Sequence, residues 1–249
     1  MPLEKPLPSA RPGQGAQSTA AFYDQVAPVY DQQFAHPPAY TFQQARWLAR
    51  VCPPGPLLDL GCGSGRMLGP LSEAGFAPVA GLDCSPSMLG LARRACPDAP
   101  LVLADASQGL PLRSASFASI VSLHSSLIHL TRPGDPPRLL AEALRVLRPG
   151  GLLVLELPHP HSYPPEAAPG RWRDFSEGIR CRRVEHGLEE LRLDELGGLT
   201  TRVRLWELDD LRRWFQGWAR VEVHPGFAGG RFDPRQGSIM VVVAGKGRG

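Results

Sequence analysis

The stretch Leu57-Leu-Asp-Leu-Gly-Cys-Gly-Ser-Gly-Arg66 carries the most information about the fold of this 249-residue chain. Its apolar start predicts a short buried strand, and its glycines predict a tight loop that leads into a helix. Backbone N–H groups and the positive end of the helix dipole would then face a ligand. Arg66 stands where the third glycine of a GxGxxG fingerprint would lie, and the Lys-Ser/Thr end of a P-loop is absent. Neither phosphate-binding motif is therefore met.

Two carboxylates follow the next two predicted strands. Asp83 lies twenty positions after Gly63, at the end of a strand predicted at 78–82, and Asp105 ends a strand predicted at 101–104. An acid in the first position can accept hydrogen bonds from both hydroxyls of a ribose, and the second is placed to meet the exocyclic amine of an adenine. Either alone could be a helix cap or a surface acid. Together with the glycine loop they predict a nucleoside site at the carboxyl edge of an open sheet.

Short apolar strands alternate with helices around the glycine loop. A parallel sheet covered by helices on both faces explains such near-continuous apolar strands at this spacing. The pattern predicts strands at 56–60, 78–82, 101–104, 117–123 and 152–157, and helices at 41–51, 85–96 and 137–147.

The alternation of apolar strands and helices stops after Leu157. Residues 158–170 contain five prolines, and residues 171–206 alternate charged and apolar side chains. This alternation predicts antiparallel strands, with a turn near Gly197 and Gly198. A helix at about 207–217 and strands at 219–224 and 238–244 are expected to return to the main sheet.

The chain is expected to form one domain. Residues 1–17 are rich in proline and glycine and poor in large apolar side chains, which predicts a flexible N-terminal tail. The remaining residues 18–249 would form the single domain. Cap helices are expected at 18–52, and a lid or substrate insertion at 158–206.

Composition excludes several protein classes. Lysine and arginine total 27 against 24 acidic residues, a net charge of +3 that argues against a nucleic-acid-binding domain. Five cysteines without a CxxC pair predict reduced thiols rather than a disulfide framework or a zinc site. No apolar run approaches the ~18 residues of a membrane span, and no signal segment is evident. We therefore expect a soluble, cytoplasmic protein.

The sequence resembles the class I S-adenosylmethionine-dependent methyltransferases, over roughly residues 55–157. LLDLGCGSGRML (57–68) is similar to their motif I, and GLDCSPSMLGLARRA (81–95) to their ribose-binding segment. LADASQGLPLRSASFASIVSLHSSLIHL (103–130) is similar to their adenine segment and fourth strand, and LRVLRPGGLLVLELP (144–158) to their fifth-strand region. FYDQVAPVYDQQF (22–34) resembles the N-terminal cap helix of the small-molecule branch.

The resemblance implies an α/β fold of the Rossmann-like methyltransferase type. The sheet would have seven strands, mostly parallel with an antiparallel last strand, and would carry an antiparallel lid insertion. The expected cofactor is S-adenosylmethionine, and the expected partner is a small-molecule acceptor methylated on nitrogen or oxygen.

The resemblance also assigns residues to the parts of this cofactor. The methionine end would meet Gly61 and Gly63, with Asp59 orienting the loop or meeting the amine and Arg46 pairing with the carboxylate. Leu123 and His124 would lie beneath the sulfonium. Asp83 would bind the ribose. Cys84 and Met88 would flank the adenine, and Asp105 and Ala106 would meet its edge.

Cap-helix tyrosines and several histidines have two interpretations each. Tyr23 and Tyr30 either close over the cofactor or pack as an amphipathic face. His124 is the candidate general base, for an acceptor that arrives protonated. His129 is expected to be a packing residue, and His159 with His161 either contacts substrate or packs, with no third residue nearby to complete a metal site.

The predicted insertion is rich in arginine. These side chains either capture an anionic group of the substrate or pair with neighbouring acids on a solvated face, and the sequence favours pairing. The arginines are Arg171, Arg173, Arg180, Arg182 and Arg183, and the acids are Glu185, Glu189 and Glu190.

A second function class stays open at this point. A catalytically inactive S-adenosylmethionine-binding sensor or partner subunit would share every cofactor residue and lack only an acceptor pocket. The intact set of glycine loop, Asp83 and Asp105 favours the enzyme.

Overall fold

A seven-stranded sheet forms the centre of the protein in a computed structural model that describes residues 18–34, 36–162, 170–176, 178–185 and 187–248. The expected tail at 1–17 lies outside these residues. The strands of this sheet are β1 (Leu57–Leu60), β2 (Val79–Asp83), β3 (Leu101–Leu103), β4 (Phe117–Ser122), β5 (Leu147–Pro158), β10 (Arg220–His224) and β11 (Ile239–Gly245). Their order is β10-β11-β5-β4-β1-β2-β3, and β11 runs antiparallel to both of its neighbours. The predicted mostly parallel sheet with an antiparallel last strand is confirmed.

Helices cover both faces of this sheet, which is why β1, β2 and β4 are buried along their whole length. On one face, α3 (Pro38–Val51), α4 (Leu68–Glu73) and α5 (Pro86–Ala95) contribute to one apolar cluster. On the other face, α6 (Asp135–Val146) and α7 (Leu208–Trp214) contribute to a second cluster. Since the strands bury both faces, they read as apolar runs rather than as an alternation.

The N-terminal segment crosses the carboxyl edge of the sheet. It consists of α1 (Thr19–Val26), a 3₁₀ turn at Ala27–Val29 and the single turn α2 (Tyr30–Gln33). The Ser18 hydroxyl caps α1 by accepting a hydrogen bond from the Ala21 N–H at 3.3 Å. Pro28 interrupts the helix, as its position predicts.

The insertion folds as a separate antiparallel sheet. Its strands are β6 (Arg173–Ser176), β7 (Ile179–Glu185), β8 (Leu188–Leu193) and β9 (Leu199–Arg204), paired in chain order. Leu193 and Leu199 pack against Phe22 and Val26 of α1. The insertion sheet therefore supports the N-terminal segment from outside.

Charged side chains of the insertion sheet pair with one another. Arg182 contacts Glu190 at 2.7 Å, and Arg183 contacts Glu189 at 2.6 Å. Arg173 reaches the same buried Glu189 at 3.0 Å. These arginines pair with acids as predicted, but Glu189 and Glu190 are buried, so the pairs do not lie on the solvated face that was expected.

Some element boundaries differ from the prediction. Helix α3 begins at Pro38 rather than at residue 41, because a proline fits the first turn of a helix. Strand β5 begins at Leu147 rather than at residue 152, and Pro149-Gly150-Gly151 lies inside it. The pairing with β4 jumps from Phe117↔Leu147 to Ser119↔Leu152, so the strand absorbs these residues as a bulge.

The described part of the chain offers neither a helix that could span a membrane nor a cluster of metal ligands. None of its helices is long and apolar enough to cross a membrane. Nor does that part contain a group of three or more His, Cys, Asp or Glu side chains able to hold a metal ion.

Candidate active site

A cavity of about 400 Å³ opens at the carboxyl edge of the sheet, beneath α1. A smaller pocket of about 30 Å³ adjoins it around the glycine loop. The large cavity has two ends. Residues that follow β1, β2 and β3 line what we call the nucleoside end, and the N-terminal segment, the 3₁₀ turn after β4 and the start of α6 line what we call the acceptor end. The two groups adjoin, because α6 packs on the turn at Ala106–Gln108 and the Ser126 hydroxyl donates to the Gly61 carbonyl.

The glycine loop brings the main chain against the turn that follows β4. Gly61 has φ +76°, a conformation that L-residues rarely adopt, and a Cβ there would lie 2.7 Å from the Cβ of Ser126. Gly65, with φ +83°, has no room either, because a Cβ would lie 2.9 Å from the Cα of Ala92 on α5. These two glycines permit close packing of loop, turn and helix.

Asp83 connects the end of β2 to the glycine loop. Its Oδ2 accepts a hydrogen bond from the Gly63 N–H and its Oδ1 accepts one from the Ser85 N–H, both at 2.9 Å. Each oxygen keeps a further lone pair for a ligand hydroxyl. Burial raises the pKa of Asp83, and the two backbone donors oppose that shift. The carboxylate is thus fixed in place at the wall of the cavity.

The residues expected to surround an adenine line the same end of the cavity. Cys84, Met88, Asp105 and Ala106 all contribute to its wall, and Met88 is fully buried. Asp105 Oδ1 accepts a hydrogen bond from the Ser107 N–H at 2.9 Å and caps the 3₁₀ turn that starts at Ala106. The second oxygen of this exposed carboxylate is available to a ligand.

Asp59 has the least satisfied carboxylate of the site. It is buried on β1, and its Oδ2 accepts no hydrogen bond from any described residue. Burial raises its pKa to about 7, and the nearby Arg66 opposes the shift. A buried acceptor without a donor is costly, and the ammonium group of a methionine moiety would satisfy it. The residues present therefore fit the amino acid end of S-adenosylmethionine.

The structure places Arg66, and not Arg46, beside that end. Arg46 is exposed on α3 and lines neither pocket, so the expected carboxylate contact is not brought to the site. Arg66 lines the smaller pocket and donates to the Thr41 hydroxyl at 2.9 Å. The sequence signal that could have identified Arg66 is its position, as a cation directly after the glycine loop. Its free donors suit a carboxylate, since guanidinium pairs well with that group.

Leu123, His124 and Tyr30 lie where the two pockets meet. All three line the smaller pocket, and His124 and Tyr30 also line the larger one. His124 has φ +52°, and its main-chain N–H donates to Glu156 Oε2 at 3.0 Å. Its ring nitrogens contact Gln44 Oε1 and His36 Nε2, each at 3.1 Å. Burial, with Arg66 and His36 nearby, lowers the pKa of His124 to about 3.

Tyr23 and His129 form a pair at the other end of the large cavity. The Tyr23 hydroxyl and His129 Nε2 are 2.8 Å apart, and both residues line the wall. Burial lowers the pKa of His129 to about 4. His129 was expected only to pack, and the contact with a tyrosine 106 residues away has no local sequence signal.

His159 takes a packing position. It is fully buried, its Nε2 contacts the Asp233 carbonyl at 3.1 Å, and its Nδ1 accepts from the His161 N–H at 3.1 Å. Neither His159 nor His161 lines the cavity. Of the two interpretations of this pair, the geometry favours packing.

A methyltransferase family model and several known methyltransferases are similar to part of this chain. Residues 58–155 match the family model described as "Methyltransferase domain". Demethylmenaquinone methyltransferase of Renibacterium salmoninarum is 35% identical over 148 residues, which cover 57% of this chain and 59% of that protein. Trans-aconitate 2-methyltransferase of Acidovorax sp. (strain JS42) is 30% identical over 168 residues, which cover 64% and 63%. The chain thus spans about three fifths of the length of these relatives.

Solved structures share the fold over nearly the whole chain. The CcbJ methyltransferase from Streptomyces caelestis superposes with a TM-score of 0.78 at 24% identity, covering 93% of this chain and 99% of that one. The sugar N-methyltransferase KedS8 from Streptoalloteichus sp. ATCC 53650 gives 0.63 at 21% identity, covering 96% and 97%. S-adenosylmethionine is the methyl donor of the matched family. The matched residues 58–155 contain the glycine loop, Asp83 and Asp105, and the seven-stranded sheet has the fold of these solved methyltransferases.

Proposed function

We propose that this protein transfers a methyl group from S-adenosylmethionine to a nitrogen or oxygen atom of a small-molecule acceptor. One observation carries the proposal. One cavity is lined both by the nucleoside residues and by further polar side chains, so groups for a cofactor and groups for an acceptor share one space. These further side chains include Tyr23, His129, Thr131, Arg132 and Asp135.

The cofactor would be held by residues from three strand ends. Asp83 would bind the ribose, Asp105 the adenine edge, and Asp59 with Arg66 the two charged groups of the methionine moiety. When bound, S-adenosylmethionine supplies an electrophilic methyl group on a sulfonium that leaves as a neutral thioether. The protein then contributes alignment and exclusion of water.

The acceptor class is inferred from the cavity and from relatives. The names of the relatives and solved structures describe methylation of a demethylmenaquinone, of trans-aconitate, of a sugar nitrogen and of a glycopeptide nitrogen. The acceptors in these names differ in chemistry, and none of them is a nucleic acid. We accordingly propose a small-molecule acceptor and expect the acceptor end of the cavity to determine which one.

Calorimetric titration with S-adenosylmethionine and S-adenosylhomocysteine tests the cofactor. We expect micromolar binding, weakened at least about tenfold, or ~1.4 kcal/mol, in Asp83→Asn. Asp98→Asn neutralises an exposed carboxylate outside the cavity and is the matched control. Thermal melting of each variant separates lost contact from lost folding. Absence of binding by the folded wild-type protein would overturn the proposal.

Labelled methyl transfer into a metabolite extract tests catalysis. An enzyme incorporates label into a small-molecule fraction, and Asp83→Asn lowers the incorporation in parallel with binding. Tight cofactor binding without incorporation into extracts of several cell types would instead support the non-catalytic sensor and contradict the proposed transfer.

A further inference from the structure

Three carboxylates line the large cavity, and the proposed cofactor uses only two of them. Asp83 and Asp105 lie at the nucleoside end, whereas Asp135 lies at the acceptor end as the first residue of α6. The ribose and the adenine edge account for the first two carboxylates. The methionine moiety would be held by Asp59 and Arg66, so no part of the cofactor requires Asp135.

Asp135 is buried without a partner. The residue is 6% exposed, and no described residue donates a hydrogen bond to its carboxylate or forms an ion pair with it. Arg138, one helical turn later, is directed elsewhere and donates to the Ser107 carbonyl at 2.9 Å. Burying a carboxylate without donors is costly, so a ligand with a donor group would stabilise this wall of the cavity.

The sequence around Asp135 prevents the main chain from satisfying its carboxylate. Pro136 and Pro137 follow it and have no N–H to donate. The next N–H belongs to Arg138, and it donates to the Gly134 carbonyl at 3.3 Å. The helix dipole favours an acid in the first turn of α6, but that effect needs no burial and no contact with a cavity. The position of Asp135 in the cavity wall therefore indicates a ligand.

We propose that the acceptor carries a primary or secondary amino group, and that the Asp135 carboxylate binds this group as an ammonium ion. The inference rests on the proposed methyl transfer and names the chemical class of its acceptor. A carboxylate only accepts hydrogen bonds, and an ammonium ion supplies both N–H donors and the compensating charge. Because an ammonium ion has no lone pair, this group anchors the acceptor and does not itself attack the methyl group.

Two other ionisable side chains at the acceptor end leave this preference intact. Burial lowers the pKa of His129 to about 4, so its ring is neutral at pH 7 and does not compensate the charge of Asp135. Arg132 also lines the cavity, but it is exposed and forms no ion pair with Asp135. Solvent and salt screen an exposed charge far more than a buried one. The buried carboxylate consequently determines which charge this end accepts.

Acetylation of the acceptors tests the substrate class with the wild-type protein. A metabolite extract is treated with acetic anhydride and then with hydroxylamine, which leaves acetyl groups on amines and removes them from hydroxyl groups. Methyl incorporation from labelled S-adenosylmethionine should fall at least about tenfold, relative to an extract that received the anhydride after its hydrolysis. Equal incorporation from both extracts would overturn the proposal. Absence of incorporation from the control extract would overturn the proposed methyl transfer itself.

Asp135→Asn tests the carboxylate with a side chain of nearly equal size. In a dilution series of the extract, half-maximal incorporation should require at least about tenfold more extract, with the plateau retained, because the anchor is lost and the reaction is not. Calorimetric affinity for S-adenosylhomocysteine should be unchanged, and thermal melting shows whether the variant is folded. Asp98→Asn neutralises an exposed carboxylate outside the cavity and should match the wild type.

Three results with folded variants would contradict the anchoring role. Weaker binding of S-adenosylhomocysteine by Asp135→Asn would assign this carboxylate to the cofactor. A lower plateau at an unchanged half-maximal amount of extract would assign it to the chemical step. A shifted dilution curve in Arg132→Gln, with a normal curve in Asp135→Asn, would mean that the acceptor end binds an anion.

Discussion

The two ends of the cavity are supplied by the chain in different ways. The nucleoside end takes Gly61, Asp83 and Asp105 from one stretch of about fifty residues, in which each follows a strand. The acceptor end joins α1, the turn after β4 and the start of α6. Main-chain geometry positions the residues of the nucleoside end, whereas side-chain contacts between distant segments position those of the acceptor end. Changes at the first end should accordingly abolish binding, and changes at the second end should tune it.

The largest effect is expected from Gly61→Ala, which joins the two ends. The added methyl would lie 2.7 Å from the Ser126 Cβ and the backbone would be strained at φ +76°. We expect at least about 100-fold weaker binding of S-adenosylhomocysteine, or ~2.7 kcal/mol, and a lower melting temperature. Calorimetry and thermal melting measure both.

Gly134→Ala is the matched control for that variant. Gly134 precedes α6 with φ −84°, and a Cβ there meets nothing within 4 Å. It should leave affinity and melting temperature unchanged. If Gly61→Ala binds the ligand as well as this control does, the glycine loop is not part of the cofactor site.

The next effect concerns how the free energy of unfolding depends on pH, which Asp59 influences through its raised pKa. Its pKa is about 7 in the folded protein against an ordinary value of 3.8, so the folded state binds more protons between these values. Stability therefore falls as pH rises from 4 to 7. Asp59→Asn removes this penalty and should raise the free energy of unfolding at pH 8 by a few kcal/mol, since a tenfold change in a proton-binding constant corresponds to about 1.4 kcal/mol. At pH 4 the gain should vanish, which denaturant titrations at both pH values would show.

The same variant should lose cofactor affinity, because an amide cannot neutralise an ammonium group. For the wild-type protein, affinity for S-adenosylhomocysteine should fall about tenfold between pH 8 and pH 6 as Asp59 becomes protonated. The amide side chain introduced by Asp59→Asn does not titrate, so calorimetry on the variant should give a flatter profile. An unchanged slope would assign the pH dependence to another group.

The sequence was sufficient to predict the nucleoside end and the sheet. Each predicted contact there depends on a residue that follows a strand at fixed spacing, and parallel strands bring their carboxyl ends to one edge. Asp83 and Asp105 needed no information on tertiary structure for their placement. Their roles toward a bound cofactor stay predictions.

The rest of the site depends on contacts that leave no local pattern. Gln44 and Glu156 are 112 positions apart and meet only because α3 packs beside β5. Arg46, on the helix before the loop, was assigned to the carboxylate from the resemblance alone, and the structure exposes that position. Which side chains of a helix face a site depends on how the helix packs, and that packing is set by distant residues.

A smaller effect is expected where the N-terminal segment is attached over the cavity. Asp24 accepts hydrogen bonds from the Ser85 hydroxyl at 2.6 Å and the Ser87 N–H at 3.1 Å, and Asp31 accepts one from the Ser64 hydroxyl at 2.8 Å. At about 1 kcal/mol for a hydrogen bond, Asp24→Ala should weaken cofactor binding about fivefold, chiefly through faster dissociation. Stopped-flow fluorescence measures that rate.

Gln32→Ala alters an exposed side chain of α2 and serves as the control for the attachment. Its dissociation rate should equal that of the wild type. If Gln32→Ala raises the dissociation rate more than Asp24→Ala does, the carboxylate contacts of Asp24 are not what holds the N-terminal segment over the cofactor.

The smallest effect on methyl transfer is expected in the insertion sheet, whose residues line neither pocket. Arg182 pairs with Glu190 at 2.7 Å and lies 4.7 Å from the centre of the Trp172 ring, with 37% of its side chain exposed. Because Glu190 is buried, Arg182→Ala leaves its carboxylate without this partner and should lower the free energy of unfolding by about 1–3 kcal/mol. Because this arginine is already paired, methyl incorporation into a metabolite extract should stay at the wild-type level. A large loss of incorporation with normal stability would revive anion capture by the insertion and make this sheet, rather than the 3₁₀ turn after β4, the determinant of acceptor choice.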